Sequence, residues 1–420
     1  MAARGKFSND LWFNAAAFGG SAVLGVLLNL FIVRYHDAAA LGVFNQVYAV
    51  YILLSQLAVG GVHLAVQAIA PRELQAGRSY DAGLTATLLL SGLSSVIVMA
   101  VAWTFRDLPG RWFSSPGVEA GFPPVIIGLL FFSWNKVLLS FHNGARRMRL
   151  FAVFQFLRFA GLLGGVMWLS LEGADPWRLP VVLAWTEIGL FALLLPLTLK
   201  WWRPWKLAGL QGALVEHFRF GNRALPGNLL LDVNTRVDVF MLGLFTGDAA
   251  VGLYSFAATV AEGALQLPVL FRNNINPVIA SAWTRGGRRL LNKLLPRNRR
   301  AFFRILAPLM LLSIALFPLA LWVLGMQEEP MTVWAVYAIL ALGIAASSGH
   351  QPFLMLFSQL GRPGTQTLFI AGVFLSNVLL NLALIPWLGL YGAALATALS
   401  FLVLAGLLTW LARRTFDVVL

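Results

Sequence analysis

A chain of 420 residues that is 59% hydrophobic and only 11% charged, with a mean hydropathy of +0.77, lacks the polar surface of a water-soluble domain, where about 25% of residues are charged. It contains no cysteine, which excludes disulfides, thiolate catalysis and cysteine-based metal sites. A net charge of +14 would point to nucleic acid in a soluble protein, but in so apolar a chain the first question is where the charges fall.

The N-terminal MAARGKFSNDLWFNAAAFGG is basic and then apolar, as in a signal peptide. The apolar run continues to Val33, long enough to span, and reads as a first helix instead of a cleaved leader. Twelve apolar stretches of spanning length can be drawn, at 11–33, 41–69, 80–104, 117–141, 150–170, 179–200, 222–246, 249–272, 302–325, 331–357, 365–387 and 390–412. The loops between them are short and leave no room for a soluble catalytic domain.

Lys and Arg mark the cytoplasmic side of a membrane protein. Alternating the twelve spans places Arg4, Lys6, Arg72, Arg78, Arg146, Arg147, Arg149, Lys200, Arg203, Lys206, Arg219 and Arg223 on one side. Arg285, Arg288, Arg289, Lys293, Arg297, Arg299, Arg300, Arg304, Arg362, Arg413 and Arg414 join them, 23 of the 31 basic residues. The other side holds Arg34, Arg106, Arg111 and Arg178. A wrong span count would scramble this asymmetry, so it predicts twelve helices with both termini cytoplasmic and removes nucleic acid as a partner.

Half a chain apart, His36-Asp37-Ala38-Ala39-Ala40-Leu41-Gly42-Val43-Phe44 echoes Gly247-Asp248-Ala249-Ala250-Val251-Gly252-Leu253-Tyr254, with one residue of slippage. Each segment would be the outer turn between the first two helices of a six-helix half. The expected fold is therefore an all-α polytopic membrane protein of two six-helix bundles, residues 1–210 and 211–420, related by a pseudo-two-fold axis along the membrane normal.

The C-terminal stretch NVLLNLALIPWLGLYGAALATALS, Asn377–Ser400, reads as a transmembrane hairpin. Two Asn one turn apart sit in an apolar helix breaking at Pro386, a Gly389–Gly392 turn follows, and the returning helix is built of small residues that permit close backbone approach. This pattern closely resembles the penultimate and last helices of lipid-linked oligosaccharide flippases, the polysaccharide-transport branch of the multidrug/oligosaccharidyl-lipid/polysaccharide exporter superfamily. Leu41–Val62 resembles the second helix of that family, Asn234–Ala257 its seventh and eighth, and NNINPVIAS at Asn273–Ser281 the exit of the eighth. The resemblance implies a bacterial inner-membrane monomer, not an enzyme, that turns a polyprenyl-pyrophosphate-linked oligosaccharide to the outer leaflet, surrounded by membrane lipids and working with other polysaccharide-assembly proteins. A cation-coupled drug exporter of the same superfamily is the alternative. A polysaccharide ligase or glycosyltransferase fits less well, because the outer loops are short and no phosphate-binding glycine loop is present.

Charges inside apolar spans are costly and usually face a bundle interior or a watery cavity. Those here are Lys136, Arg158, Glu187, Asp232, Arg236, Asp238, Glu262 and Arg272. Arg236 falls roughly 20 Å along its span from Asn222, and Asn228, Asp232 and Arg236 recur every fourth residue as a polar stripe. Either this stripe offers a cation to the pyrophosphate, which a planar guanidinium binds bidentately, or Asp232 and Arg236 neutralise each other and serve packing. Arg158 and Lys136 are further substrate-binding candidates that could instead snorkel. Arg272 would close the eighth helix at the interface, or serve as a gate or headgroup contact for substrate, and Arg34 would either meet the phosphate on its way out or be an exposed loop charge. Asp238, Glu262 and Asp232 are the candidates for coupling to H+ or Na+, since a buried carboxylate is a switchable charge. Asn234 and Thr235 would add oxygens beside Asp238, and a salt bridge to Arg236 or Arg158 is the alternative. No cofactor or metal is expected; His63 with Gln67, and His350-Gln351-Pro352, read as interhelical hydrogen-bonding groups. The run Arg285–Arg304 reads as an interfacial helix on anionic lipid, with Leu290, Leu291, Leu294 and Leu295 on one face.

Overall fold

The computed structural model describes residues 2–420, with side chains from residue 19 onward apart from that of Asn273. The side chains of Arg4 and Lys6 of the charge count, and that of Asn273, lie outside what is described. Every regular element among the described residues is helical. Among the described residues, seven helices are long and apolar enough to cross a membrane, or eight if one bent pair counts as a span. The chain divides into two compact units, one of residues up to Tyr35 with Val43–Val233, the other of His36–Gly42 with Asn234–Leu420.

The first unit contains α1 (Ala2–Tyr35), α2 (Ala38–Val59, whose first turn belongs to the second unit), α3 (Val62–Gln75), α4 (Asp81–Thr104), α5 (Leu108–Phe113), α6 (Pro116–Gly121), α7 (Gly128–Gly144), α8 (Met148–Leu171), α9 (Val182–Thr198) and α10 (Leu210–Asn234). Helix α1 lies along α8, and α7 packs on α3, α4 and α9. Val66, Leu84, Leu138 and Leu194 are buried between them, with Tyr80 stacked on Phe141 at 6.2 Å. Outward-facing Leu93, Ile97 and Leu193 are exposed, as an apolar solvent requires.

The expected second span, 41–69, is two helices. Gly60 and Gly61 between them have φ of 61° and 70°, a left-handed conformation that only glycine adopts cheaply. A Cβ on Gly61 would also lie 2.6 Å from the Gly221 carbonyl oxygen, so the break brings α3 against α10. The fourth span is bent as well, by 54° between Pro116–Val125 and α7.

The second unit holds α11 (Val237–Phe245), α12 (Asp248–Ala264), α13 (Gln266–Val323), α14 (Pro330–Ser347), α15 (Leu356–Gln359) and α16 (Pro363–Phe416). A continuous helix of 54 residues like α16 would be about 80 Å long, far beyond a hydrocarbon core of about 30 Å. One non-helical residue, Gly389 at φ 54° and ψ −131°, divides it near its middle. Pro386, where the break was expected, stays inside the helix; the glycine three residues on supplies the positive φ that proline cannot. Gly287, at φ 49° and ψ −142°, divides α13 in the same way.

Two further expectations are corrected by α13. Arg272 does not close a helix: α13 runs through it and through Pro277 to the break at Gly287. The basic run is not a separate interfacial helix either, because beyond Gly287 it continues without interruption into the apolar segment ending at Val323. Of its four leucines, Leu291 and Leu295 are buried, whereas Leu290 is exposed. The polar stripe is also interrupted. Helix α10 ends at Asn234, and Arg236, at φ −131° and ψ 3°, precedes the first residue of α11.

Inside the second unit the starts of α2 and α12 meet in a reciprocal contact. A Cβ on Gly42 would fall on the Asp248 carbonyl, and a Cβ on Gly252 on the Ala38 carbonyl. Each member lies about 210 residues from its counterpart, in the register of the sequence echo, and each glycine exists to admit the other helix's backbone. Gly252→Val is therefore expected to force the two helix starts apart and cost about 1–3 kcal/mol, the usual range for overpacking. A thermal unfolding midpoint equal to that of the parent would contradict this.

Candidate functional site

In the first unit the charged side chains converge on α7. Lys136 Nζ donates to Gln56 Oε1 at 2.5 Å and lies 3.3 Å from Asp232 Oδ2, which also accepts from Asn228 Nδ2 at 3.1 Å. Asn228 and Asp232 are one turn apart on α10, so helical spacing aims both at the lysine. Both members of the ion pair are partly accessible, with side-chain exposures of 23% and 37%.

Arg158, from α8, is held differently. Its Nε lies 2.7 Å from Glu187 Oε1, its Nη2 donates to Glu187 Oε2 at 3.2 Å, and its Nη1 donates to Gln155 Oε1 at 3.1 Å. Glu187 is buried and also accepts from Asn135 Nδ2 at 2.8 Å. A close ion pair with one hydrogen bond, flanked by two amides, is a closed arrangement. Lys136 and Arg158 both lie near the ring of Phe132, 5.8 and 5.3 Å from its centroid, within cation–π range. Tyr51 meets the same ring edge-on at 6.0 Å, and its hydroxyl and the Nδ1 of His63 are buried without a hydrogen-bond partner. Gln67 Nε2 donates to Ser140 Oγ at 3.2 Å, joining α3 to α7.

Arg34 is apart from this cluster. It borders a cavity of ≈ 520 Å³ lined by Leu27, Phe31, Leu163 and Met167, and Met167 is roughly 13 Å farther along α8 than Arg158.

In the second unit, Arg236 Nη2 lies 4.0 Å from Glu262 Oε2, with exposures of 23% and 40%, a loose and open pair. Asp238 is buried, accepting from the Tyr254 hydroxyl and from the Val239 amide at 2.9 Å. Tyr254 in turn lies 3.4 Å from Thr397 Oγ1 on α16, so α11, α12 and α16 share one polar cluster. Asn381 Nδ2 donates to the Asn377 backbone carbonyl and to Asn377 Oδ1 at 2.8 and 2.9 Å. The side-chain oxygens of Asn381, Asn234 and Ser255 are buried without a partner. Arg272 is half-buried in α13, with no carboxylate within 4.0 Å among the described residues. Among the described residues no group of three His, Asp or Glu could hold a metal ion.

The midspan cations thus differ in availability. Arg158 is sealed by Glu187, Asn135 and Gln155, whereas Lys136 and Arg236 sit in open pairs whose carboxylates an anion could replace. Gln56, Phe132, Tyr51 and Tyr254 carry no signal in the sequence beyond the spacing of Phe132 one turn before Lys136, since neutral and aromatic residues are unremarked in an apolar helix.

A family model described as "Polysaccharide biosynthesis protein" matches residues 11–283. No curated protein sequence matches. Among solved structures, the chain resembles a lipid II flippase MurJ in an inward closed conformation, at a TM-score of 0.74 and 15% identity over 95% of this chain and 87% of that one. It resembles an inward-facing multidrug resistance MATE family transporter of the MOP superfamily at a TM-score of 0.72 and 12% identity, over 94% of this chain and 98% of that one. A MOP superfamily transporter from Pyrococcus furiosus, described as having a binding pocket of reversed polarity, gives a TM-score of 0.70 and 14% identity over 97% and 95% of the two chains. At these identities the likeness shows the fold.

Proposed function

Since the chain belongs to the polysaccharide biosynthesis protein family and has the MOP-superfamily transporter fold, we propose that it is a flippase for a polyprenyl-pyrophosphate-linked oligosaccharide, moving it from the cytoplasmic to the outer leaflet of the bacterial inner membrane. On this reading twelve spans form two six-helix bundles, with both termini cytoplasmic. The observation that carries the reading is the Lys136–Asp232 pair with Gln56 and Phe132: a partly accessible ammonium inside an apolar bundle, held by a carboxylate that can be exchanged.

Charged phosphate and sugar cannot cross hydrocarbon unaided. A pyrophosphate arriving at Lys136 displaces Asp232 and takes over the ammonium donors. Exchange costs less than creating an unpaired buried cation, and the returning carboxylate expels the substrate at the end of the cycle. The prenyl tail stays in lipid. Arg158, closed by Glu187, holds the Phe132 face in position.

Coupling to H+ or Na+ falls to the carboxylates. Asp238, with Tyr254 and Thr397, gains or loses a positive charge without leaving its place between helices, and Asp232 or Glu262, once neutralised, frees its cation for substrate. Asp238→Asn keeps the shape and the Tyr254 hydrogen bond but cannot cycle charge. In liposomes carrying a fluorescent polyprenyl-pyrophosphate oligosaccharide, the parent is expected to transfer label to the outer leaflet faster under an imposed ion gradient, and Asp238→Asn to lose that acceleration. An undiminished gradient response in the variant would remove Asp238 from coupling. Absence of transfer by the inserted parent would overturn the flippase reading and favour the second one, export of amphipathic compounds, for which the MATE-type neighbours provide the fold-level precedent.

A further inference from the structure

At one end of the second unit, two clefts share a wall at His350. One, of ≈ 320 Å³, is lined by Arg299, Arg300, Phe303, Arg304, Gly349 and His350. The other, of ≈ 670 Å³, is lined by His350, Thr409, Trp410, Arg413 and Arg414 among others. Five arginines therefore line the two clefts that meet at His350. None of Arg299, Arg300, Arg304, Arg413 or Arg414 has a carboxylate within 4.0 Å among the described residues, and Arg414 instead lies 5.1 Å from the Trp410 ring centroid. The nearby acid, Asp417, is paired with Arg288. His350 Nδ1 is buried with no hydrogen-bond partner.

Such a density of uncompensated cations at the bundle's end repels itself unless an anion completes it. The clefts have backbone shape as well as charge. Gly349 has no room for a side chain: a Cβ there would lie 2.9 Å from Arg299 Cγ and 3.1 Å from its carbonyl oxygen, so this glycine lets α13 close against the end of α14. Phe303 and Trp410, one lining each cleft, are exposed, as aromatic rings at a membrane interface are. Guanidinium forks match phosphate oxygens, and aromatics beside them match the glycerol and upper acyl region.

We propose that these clefts, between the basic half of α13, the end of α14 and the C-terminal turns of α16, form a binding site for the phosphate headgroup of an anionic glycerophospholipid, separate from the translocation residues. The ligand ties three helices of the second unit together at the interface. The site does not depend on which substrate the protein transports. The phosphate of a polyprenyl carrier shares the chemistry that Arg300 and Arg413 recognise, so the test compares both sources.

Purified full-length protein in neutral detergent is titrated with phosphatidylglycerol, phosphatidylcholine and a polyprenyl pyrophosphate, and bound lipid is counted by native mass spectrometry. Phosphatidylglycerol is expected to bind well ahead of phosphatidylcholine. Arg300→Gln with Arg413→Gln, both on exposed side chains and so compatible with folding, is expected to weaken it roughly 30-fold, from about fivefold per basic residue near a membrane surface. Gly349→Ala, which changes no charge, is expected to weaken it by reshaping the first cleft. Binding of phosphatidylglycerol no better than phosphatidylcholine, or unchanged in the double variant, would overturn the proposal. Loss of polyprenyl pyrophosphate alone in that variant would overturn the glycerophospholipid assignment and give the clefts to the carrier. Unchanged binding in a folded Gly349→Ala would reduce the site to diffuse surface attraction; if that variant does not fold, the double variant decides.

Discussion

Lys136→Ala is expected to slow transfer of a polyprenyl-pyrophosphate oligosaccharide by ~30-fold or more in reconstituted liposomes. Losing a hydrogen bond to a charged group costs about 1.5–3 kcal/mol, and each 1.4 kcal/mol is a factor of about ten. Two consequences of the substitution have to be separated, because it removes a phosphate donor and also leaves Asp232 without its ammonium partner 3.3 Å away. The double variant Lys136→Ala with Asp232→Ala resolves them. It removes the charge pair as a unit, so any stability lost with the lysine's contact to Asp232 is recovered. If the lysine binds substrate, transfer stays low although the thermal midpoint recovers. If transfer recovers together with the midpoint, Lys136 only neutralised Asp232, and the substrate-binding role is lost.

Glu187→Ala is expected to be the most destabilising single change in the first unit. It leaves Arg158 as a buried cation between α7, α8 and α9 with only Gln155 and the Phe132 ring beside it, and it also deprives Asn135 of its carboxylate acceptor. Breaking a buried pair from one side costs about 3–5 kcal/mol. Glu187→Gln keeps the amide-to-Asn135 geometry while removing the charge, so its loss should be nearly as large if electrostatics dominates and small if shape does. The measurement is thermal unfolding in detergent, with expression level as a second readout. A Glu187→Ala protein as stable as the parent would show that Arg158 reaches water and that the closed arrangement around it does not exist in solution. Together the two experiments sort the intramembrane cations by role: the open pair is read in transport once stability is restored, and the closed pair is read in the stability of the fold.

Much of this was legible in the residues alone. The apolar composition and the runs of spanning length require an all-helical membrane chain, because no other open backbone satisfies its hydrogen bonds in lipid. The hairpin of two asparagines, a glycine turn and a small-residue helix at Asn377–Ser400 pointed to the transport superfamily, and the echo about 210 residues apart marked the segments where Gly42 and Gly252 admit each other's backbones. The price of charge in hydrocarbon was enough to single out Lys136, Arg158, Glu187, Asp232, Arg236, Asp238 and Glu262 before any partner was known.

Only the tertiary structure decided who pairs with whom. Helical spacing relates residues within one element, so it could not see Lys136 approaching Asp232 from α7, or Glu187 reaching Arg158 from α9. The turn at Gly389 was legible between two apolar runs, but the helix breaks at Gly60–Gly61 and Gly287 were hidden. Glycine is frequent in membrane helices both where it packs and where it turns, and the choice depends on what lies opposite it. The ranking of the cations followed for the same reason: accessibility is a property of neighbours from other helices, and it is set by packing that no single segment encodes.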